Sequence, residues 1–299
     1  MKNSFAHIDV YLMVTDLIIE RLEQGVIPWQ QPWNNYGPAT NYMSMKPYLG
    51  INQLILYGLH SKPFYLTYKQ VSGLGGRVRK GAKSIPIVYW NFIFRHAKTR
   101  RKIKPDDISS YPPEAIVKTA FLKYYRVFNI DDILQIDFDI PSLKANEKNN
   151  PIEQCEVIIS NMKDKPTFQH RENQPYYHPV KDYINIPPMG LFKTTVMYYS
   201  VLFHELIHST GHKNRLNRFG NNEISKFNSS SYSKEELVAE IGAAFLNNQT
   251  GILNRQTLTD STAYIQGWLN KLRSNKKFII EASAKAQKAV DYIMNKGEF

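Results

Sequence analysis

Apolar positions recur at helical spacing near the start of the chain. Ile8, Leu12, Ile19 and Leu22, with Thr15 among them, fall roughly on one face of a helix over 8–24, and Gly25 stops it. A second helix is predicted over 50–60, and Thr67-Tyr68-Lys69-Gln70 has the form of a capping box opening a short third one. The pattern then changes. Ile85–Phe94 and Thr119–Phe128 are rich in β-branched and aromatic residues and predict two strands, joined by a polar, proline-containing loop over 95–118. Pro141–Pro151 is polar, without period, and bounded by prolines, which predicts a domain boundary.

Beyond it, Glu156–Met162 predicts a helix, and Asp182–Ile186 alternates like a strand before Pro187-Pro188 ends it. An apolar helix follows from Met197 to a stop at Gly211, then a loosely patterned polar loop over 213–232. A further helix opens at Ser233, and the last two are expected over 257–272 and 276–295. The whole predicts an α+β chain of two domains. The N-terminal one is α+β, over 1–140, and 141–151 is the linker. The C-terminal one, over 152–299, is mainly helical with a small sheet.

Composition narrows the partners. A chain of 299 residues with 42% hydrophobic and 13% aromatic residues can bury ample cores, and a formal charge of +12 favours an anionic partner. The single cysteine, Cys155, excludes an internal disulfide framework and a cysteine-built zinc site, and agrees with a reducing compartment. Asp9, Asp16, Glu20, Arg21 and Glu23 interrupt every apolar run that a signal peptide would need. Nor does any stretch reach the roughly eighteen apolar residues of a membrane span. These features predict a soluble, cytoplasmic protein with no membrane partner.

The apolar helix carries His204-Glu205-Leu206-Ile207-His208. Residues four apart share a helix face, so both imidazoles can hold one zinc ion, and Glu205 sits where a carboxylate can act on water beside it. A catalytic zinc takes three protein ligands. A third histidine six residues after the second is absent, since Asn214 stands there; His212, four residues on, would reach only if the chain bends at Gly211. Glu236 and Glu240, one turn apart on the next helix, are better placed, and small Ala243 on their face would let the two helices approach. Glu236 is preferred as ligand, with Glu240 accepting a hydrogen bond from a ligand imidazole; the reverse assignment stays open. Ser233 and Glu236 also fit a capping box, which would explain Glu236 without a metal. In such a site Glu205 is the general base, zinc polarises the scissile carbonyl, and substrate lies along the edge of the Asp182–Ile186 strand.

From Gln24 to Pro105 the chain has no Asp or Glu, thirteen Lys or Arg, and thirteen aromatics. Cations release counterions from phosphates and aromatic faces stack unpaired bases, so the mixture points to single-stranded nucleic acid. The candidates are Trp29, Trp33, Tyr48, Tyr65, Tyr68, Tyr89 and Trp90, with Lys46, Lys69, Arg77, Arg79, Lys80 and Lys83. Leu74–Ser84 lacks the adjacent Gly-Lys of a nucleoside triphosphate loop, because Ala82 separates Gly81 from Lys83. It remains a glycine turn that presents cations to a phosphodiester. Arg95–Lys104, with six basic residues, predicts a hairpin tip that adds nonspecific affinity.

These motifs together resemble a known family. Gly25–Trp33, Gly50-Ile51-Asn52, Thr67–Gln70, Leu74–Gly81 and Val127-Phe128-Asn129 look like the N-terminal domain of ArdC-type antirestriction proteins. His204–His208, Thr210-Gly211-His212, Arg215-Leu216 and Glu235–Glu240 look like the zincin-like metallopeptidase domain of the same family. The resemblance implies a protein of conjugative plasmids or related mobile elements that shields incoming DNA from host restriction. It implies an N-terminal domain, with Asn52 among its motif residues, that binds single-stranded DNA without sequence preference. It also implies one Zn2+ per chain, at His204, His208 and the acidic cluster, in a peptidase acting on a protein substrate. Two other functions fit the same residues: a non-catalytic DNA-coating protein whose zinc is structural or vestigial, and a free protease whose basic half serves another polyanion.

Overall fold

In this computed structural model the described residues are 8–29, 37–56, 58–140, 151–219, 230–252 and 261–297. Helix α1 spans Val10–Glu23; Asp9 caps it by accepting hydrogen bonds from the backbone N–H groups of Tyr11 and Leu12. Gly25, at φ 77°, turns the chain out of it. Its buried face is Val14, Thr15, Ile18 and Leu22, whereas Ile8 and Leu12, expected inside, are exposed. Apolar residues lie almost all round this helix, so its period alone does not set its phase.

Strands β1 (Thr40–Asn41) and β2 (Lys46–Pro47) precede helix α2 (Ile51–Leu56) and strand β3 (Phe64–Thr67). Helix α3 (Tyr68–Gly73) opens with the expected capping box between Thr67 and Gln70. Then come β4 (Arg77–Val78), β5 (Ile85–His96), β6 (Lys102–Ile103), β7 (Ile116–Asn129) and β8 (Ile133–Leu134). Strands β5 and β7 pair antiparallel from Ile85↔Val127 to His96↔Ile116, longer than the sequence suggested. The expected loop over 95–118 therefore holds strand ends, the β5–β6 hairpin and two 3-10 turns. The sheet order is β2-β1-β3-β7-β5-β6, and β4 pairs with β8 apart from it.

The remaining elements are α4 (Pro151–Asn161), β9 (Thr167–Gln169), β10 (Tyr176–His178), β11 (Tyr183–Asn185), α5 (Thr195–Ser209), α6 (Ser230–Thr250), α7 (Ser261–Ser274) and α8 (Phe278–Ile293). Strands β9–β11 form a three-stranded sheet in the order β10-β11-β9. Both halves are therefore α+β. Of the expected linker over 141–151, all but Pro151, which begins α4, lies outside the described residues.

The two halves share their largest core. Val14, Ile18 and Leu22 of α1, Trp29, and Val88 and Leu122 of the long ribbon join Phe203, Leu206, Leu237, Trp268 and Ile279 in one buried cluster. Thr15 Oγ1 donates to the carbonyl of Lys276, at 2.8 Å, and Arg21 donates to that of Leu54, also at 2.8 Å, so α1 is tied to both halves. No helix among the described residues is long and apolar enough to cross a membrane.

Candidate active site

Helix α5 starts at an N-cap, Thr194, whose hydroxyl accepts from the backbone N–H of Met197. One turn separates His204 from His208, so their rings meet, Nε2 to Nε2, at 3.1 Å. Two ligands of one tetrahedral zinc ion, each about 2.05 Å from it, stand about 3.3 Å apart, so this spacing suits a shared cation. Helix α6 supplies the third donor. Glu236 places one carboxylate oxygen 3.6 Å from His204 Nε2 and the other 3.5 Å from His208 Nε2. Among the described residues, donor atoms of His204, His208 and Glu236 all lie within 4.8 Å of one another. Two imidazoles and one carboxylate are a donor set fit for a divalent ion.

Helix α6 begins at Ser230, three residues earlier than expected. Glu236 thus lies in the second turn, beyond a capping-box position. Ala243 is buried, and at its neighbour Gly242 a Cβ would stand 2.6 Å from Ile207 of α5.

Glu235 completes the site. Its Oε1 is 3.6 Å from His208 Nδ1, on the far side of the ring from His204. Arg218 holds that carboxylate at both oxygens, 2.6 and 3.1 Å away, and also donates to the carbonyl of Ile207. Burial alone would raise the Glu235 carboxyl; the hydrogen bond from His208 and the Arg218 guanidinium outweigh it and hold the group low. Glu240, expected beside a ligand imidazole, acts on His204 through its charge. Burial pulls the His204 imidazole down, but the Glu236 hydrogen bond and the charges of Glu205, Glu240 and Glu236 raise it to about 9. The sequence reading did not single out Glu235 or Arg218. The available signal was an acid doublet at a helix start and an arginine in the loop before it.

Glu205, 7% exposed, joins His204, His208, Glu235 and Glu236 in the wall of a cleft of about 310 Å3. Tyr176, Tyr177 and Phe219 line it as well. The expected substrate edge is corrected here: β11 is the central strand, bonded to β10 and β9, and β10 is the edge at the cleft. The Tyr176 hydroxyl lies 3.1 Å from that of Tyr183 and donates to Glu172, and these bonds push its phenol above the usual range. Tyr177 donates to Asp182, which pairs with the buried Arg215. His212 lies 4.0 Å from the same carboxylate and is not among the clustered donors.

The DNA candidates divide. Trp29 is buried edge-to-face against Trp268, 6.1 Å between centroids; Tyr48 and Tyr65 are core. Asn52 pins α2 to β5, donating to the Val88 carbonyl and accepting from its N–H. These four have no exposed ring or amide to offer, because they are used in packing. Trp33 lies outside the described residues. Lys46, Tyr68, Lys69, Arg77, Arg79, Lys80, Lys83, Tyr89 and Trp90 are exposed. Phe92, Tyr125 and Lys118, which the reading did not single out, are exposed as well.

Comparison with known proteins follows the same division. Residues 8–128 match the family model of the N-terminal domain of anti-restriction factor ArdC, and residues 153–285 match that of a zincin-like metallopeptidase. The metal-free crystal structure of the antirestriction ArdC protein from plasmid R388 is 32% identical, with a TM-score of 0.73, over 96% of this chain and 97% of that one. The chain belongs to the ArdC family.

The R388 ArdC protein has also been solved with Mn(II) bound, again at a TM-score of 0.73 and 30% identity. Two proteins named DNA primase TraC, from Escherichia coli, are 34% and 32% identical over 94% of this chain. The chain spans only 26% and 20% of their lengths. An uncharacterized Sinorhizobium fredii protein, y4eC, is 30% identical over 95% of this chain and 91% of its own length.

Proposed function

We propose that this ArdC-family chain is a single-stranded-DNA-binding zinc metallopeptidase of a mobile element, acting in the cytoplasm to protect incoming DNA from restriction. The observation that carries the enzymatic reading is the convergence of His204, His208 and Glu236 beside buried Glu205 in one cleft. The plasmid origin and antirestriction name of the R388 relative support the biological role. In this reading residues 1–140 hold DNA, 141–151 link, and 152–299 carry the peptidase.

His204, His208 and Glu236 would hold the metal, and zinc suits a set of two imidazoles and a carboxylate. Bound there, it would supply Lewis acidity toward the scissile carbonyl and make water a stronger acid. Glu205 takes the proton from the attacking water and delivers it to the leaving amine. Glu235, backed by Arg218, fixes the His208 ring through Nδ1, leaving Nε2 for the metal. A peptide in extended form pairs with the edge of β10 and so runs past Glu205. Tyr176, which lines the same cleft, is the phenol that would donate to the developing oxyanion, its hydroxyl turning away from Glu172 to do so.

The test is metal quantification joined to a cleavage assay on denatured casein, with and without oligo-dT. The parent should carry about one zinc per chain and His204→Ala none. Glu205→Gln should keep the metal and lose cleavage by at least about 100-fold. A Glu205→Gln chain that protects DNA as well as its parent would favour the coating function over the peptidase.

A further inference from the structure

We propose that single-stranded DNA lies along a strip of rings and ammonium groups, Lys277–Tyr11–Trp90–Phe92–Lys118, that crosses from the C-terminal half onto the β5–β7 ribbon. The proposal rests on the DNA-binding reading above and gives it a track.

Trp90 and Phe92 are two residues apart on β5, so they share one face of the ribbon, about 6.8 Å apart along the strand. They are 46% and 42% exposed, an unusual state for two large rings side by side. Lys118 stands on the same face, its register partner being Phe94. Its Nζ is 4.0 Å from the Phe92 ring centroid and 6.0 Å from that of Phe94. At the other end Trp90 meets Tyr11 of α1 edge-on, at 6.4 Å. Lys277, the N-cap of α8, puts its ammonium 5.3 Å from the Tyr11 ring. Cations thus bracket a succession of three rings to which both halves contribute.

Trp90 and Phe92 have the surface a base needs to stack on, Tyr11 packs partly into the core and backs Trp90, and each lysine has a flexible stem that can turn from a ring to a phosphate. Two carboxylates near Tyr11 are engaged elsewhere: Asp9 by Lys276 and Glu281 by Lys234. From Ile85 to Asn129 the chain carries nine Lys or Arg against three Asp or Glu, so the field along the ribbon is cationic. A duplex keeps its base faces stacked on one another, so it offers these rings nothing. The favoured partner is an unpaired strand.

The experiment is titration of the full chain with fluorescent oligo-dT over a series of salt concentrations. Trp90→Ala with Phe92→Ala should weaken binding by roughly tenfold or more, with the salt slope kept. Lys118→Ala with Lys277→Ala should lower that slope by about 1.4, two phosphate contacts on a single strand. Trp90→Phe should keep the affinity and lose most of the tryptophan quenching that DNA causes in the parent. All these positions are on the surface, and their melting curves should superimpose on the parent's. If the parent binds and the strip variants bind within twofold of it, or if Trp90→Phe quenches as the parent does, the track is wrong while the DNA reading survives. If changing Arg77, Arg79 and Lys80 together is the only change that matters, the DNA runs over the glycine turn instead. A parent that ignores oligo-dT, or holds duplex equally well, removes the track and the single-strand reading together.

Discussion

Glu235 Oε1 stands 3.6 Å from His208 Nδ1, while the opposite nitrogen of that ring faces His204 at 3.1 Å. One imidazole is thus oriented from behind by a carboxylate that Arg218 holds at both oxygens. Such partners fix the tautomer and the ring angle, and losing them typically costs 10- to 100-fold in metal affinity. Glu235→Ala should show a loss of that size in competition with a chromophoric chelator. Arg218→Ala should move affinity in the same direction, because it frees the carboxylate. Unchanged affinity in both would mean that the His208 ring needs no support.

The approach of α6 to α5 is set by Gly242. A methyl there would lie 2.6 Å from one carbon of the fully buried Ile207 and 2.8 and 3.0 Å from two others. Alanine would favour the helix by about 1 kcal/mol, but overpacking a filled core costs about 1–3 kcal/mol, and Ile207 is stiff at χ1. Gly242→Ala should therefore lower the melting temperature despite its better propensity. Adding Ile207→Val should restore part of the loss, since it removes the nearest carbon. Simple additivity of the two changes would exclude direct contact.

Trp29, a DNA candidate by composition, should behave as a core residue. Its edge-to-face partner is Trp268, and both are buried. Trp29→Ala should destabilise the chain by about 3–5 kcal/mol in chemical denaturation. Under conditions where the variant stays folded, its oligo-dT affinity should match the parent's. Weaker binding at unchanged stability would restore the ring to the DNA surface.

The histidine helix, the acidic helix and the long ribbon were legible because each declares itself within a few neighbouring residues. His204 and His208 share a face by helical period alone, and β5 and β7 are runs rich in β-branched and aromatic residues. What stayed hidden depends on distant partners. The phase of α1 is set by its packing against the C-terminal half, which no local pattern records. Trp29 looks as available as Trp90 until Trp268, near the other end of the chain, covers it. The edge of the small sheet was misplaced because β11 pairs in parallel with β9, a strand too short to announce itself. Glu235 and Glu236 are adjacent acids, and only Arg218 and the histidines distinguish their tasks.

Asp182 links the small sheet to the loop after α5. Its carboxylate takes hydrogen bonds from Arg215 and from Tyr177, and the Arg215 side chain is only 1% exposed. Burial would raise the Asp182 carboxyl, but Arg215 and Tyr177 outweigh it and hold it below the usual carboxylate range. A group depressed in the folded state binds its proton more weakly there than in the unfolded chain. Its stabilisation is therefore complete above the unfolded value, about 3.9, and drains away as pH falls through the lower folded value. Asp182 also sits at φ 52°, a backbone region that asparagine tolerates, so Asp182→Asn removes the charge with little backbone strain. That variant leaves a buried guanidinium without its counter-charge, which should cost about 3–5 kcal/mol at neutral pH. It should also unfold with a shallower acid limb below about pH 4 than the parent. Equal stability at pH 7, or acid limbs that superimpose, would show that the backbone carbonyls of Ser209 and Asp164 and the Tyr177 hydroxyl suffice to hold Arg215.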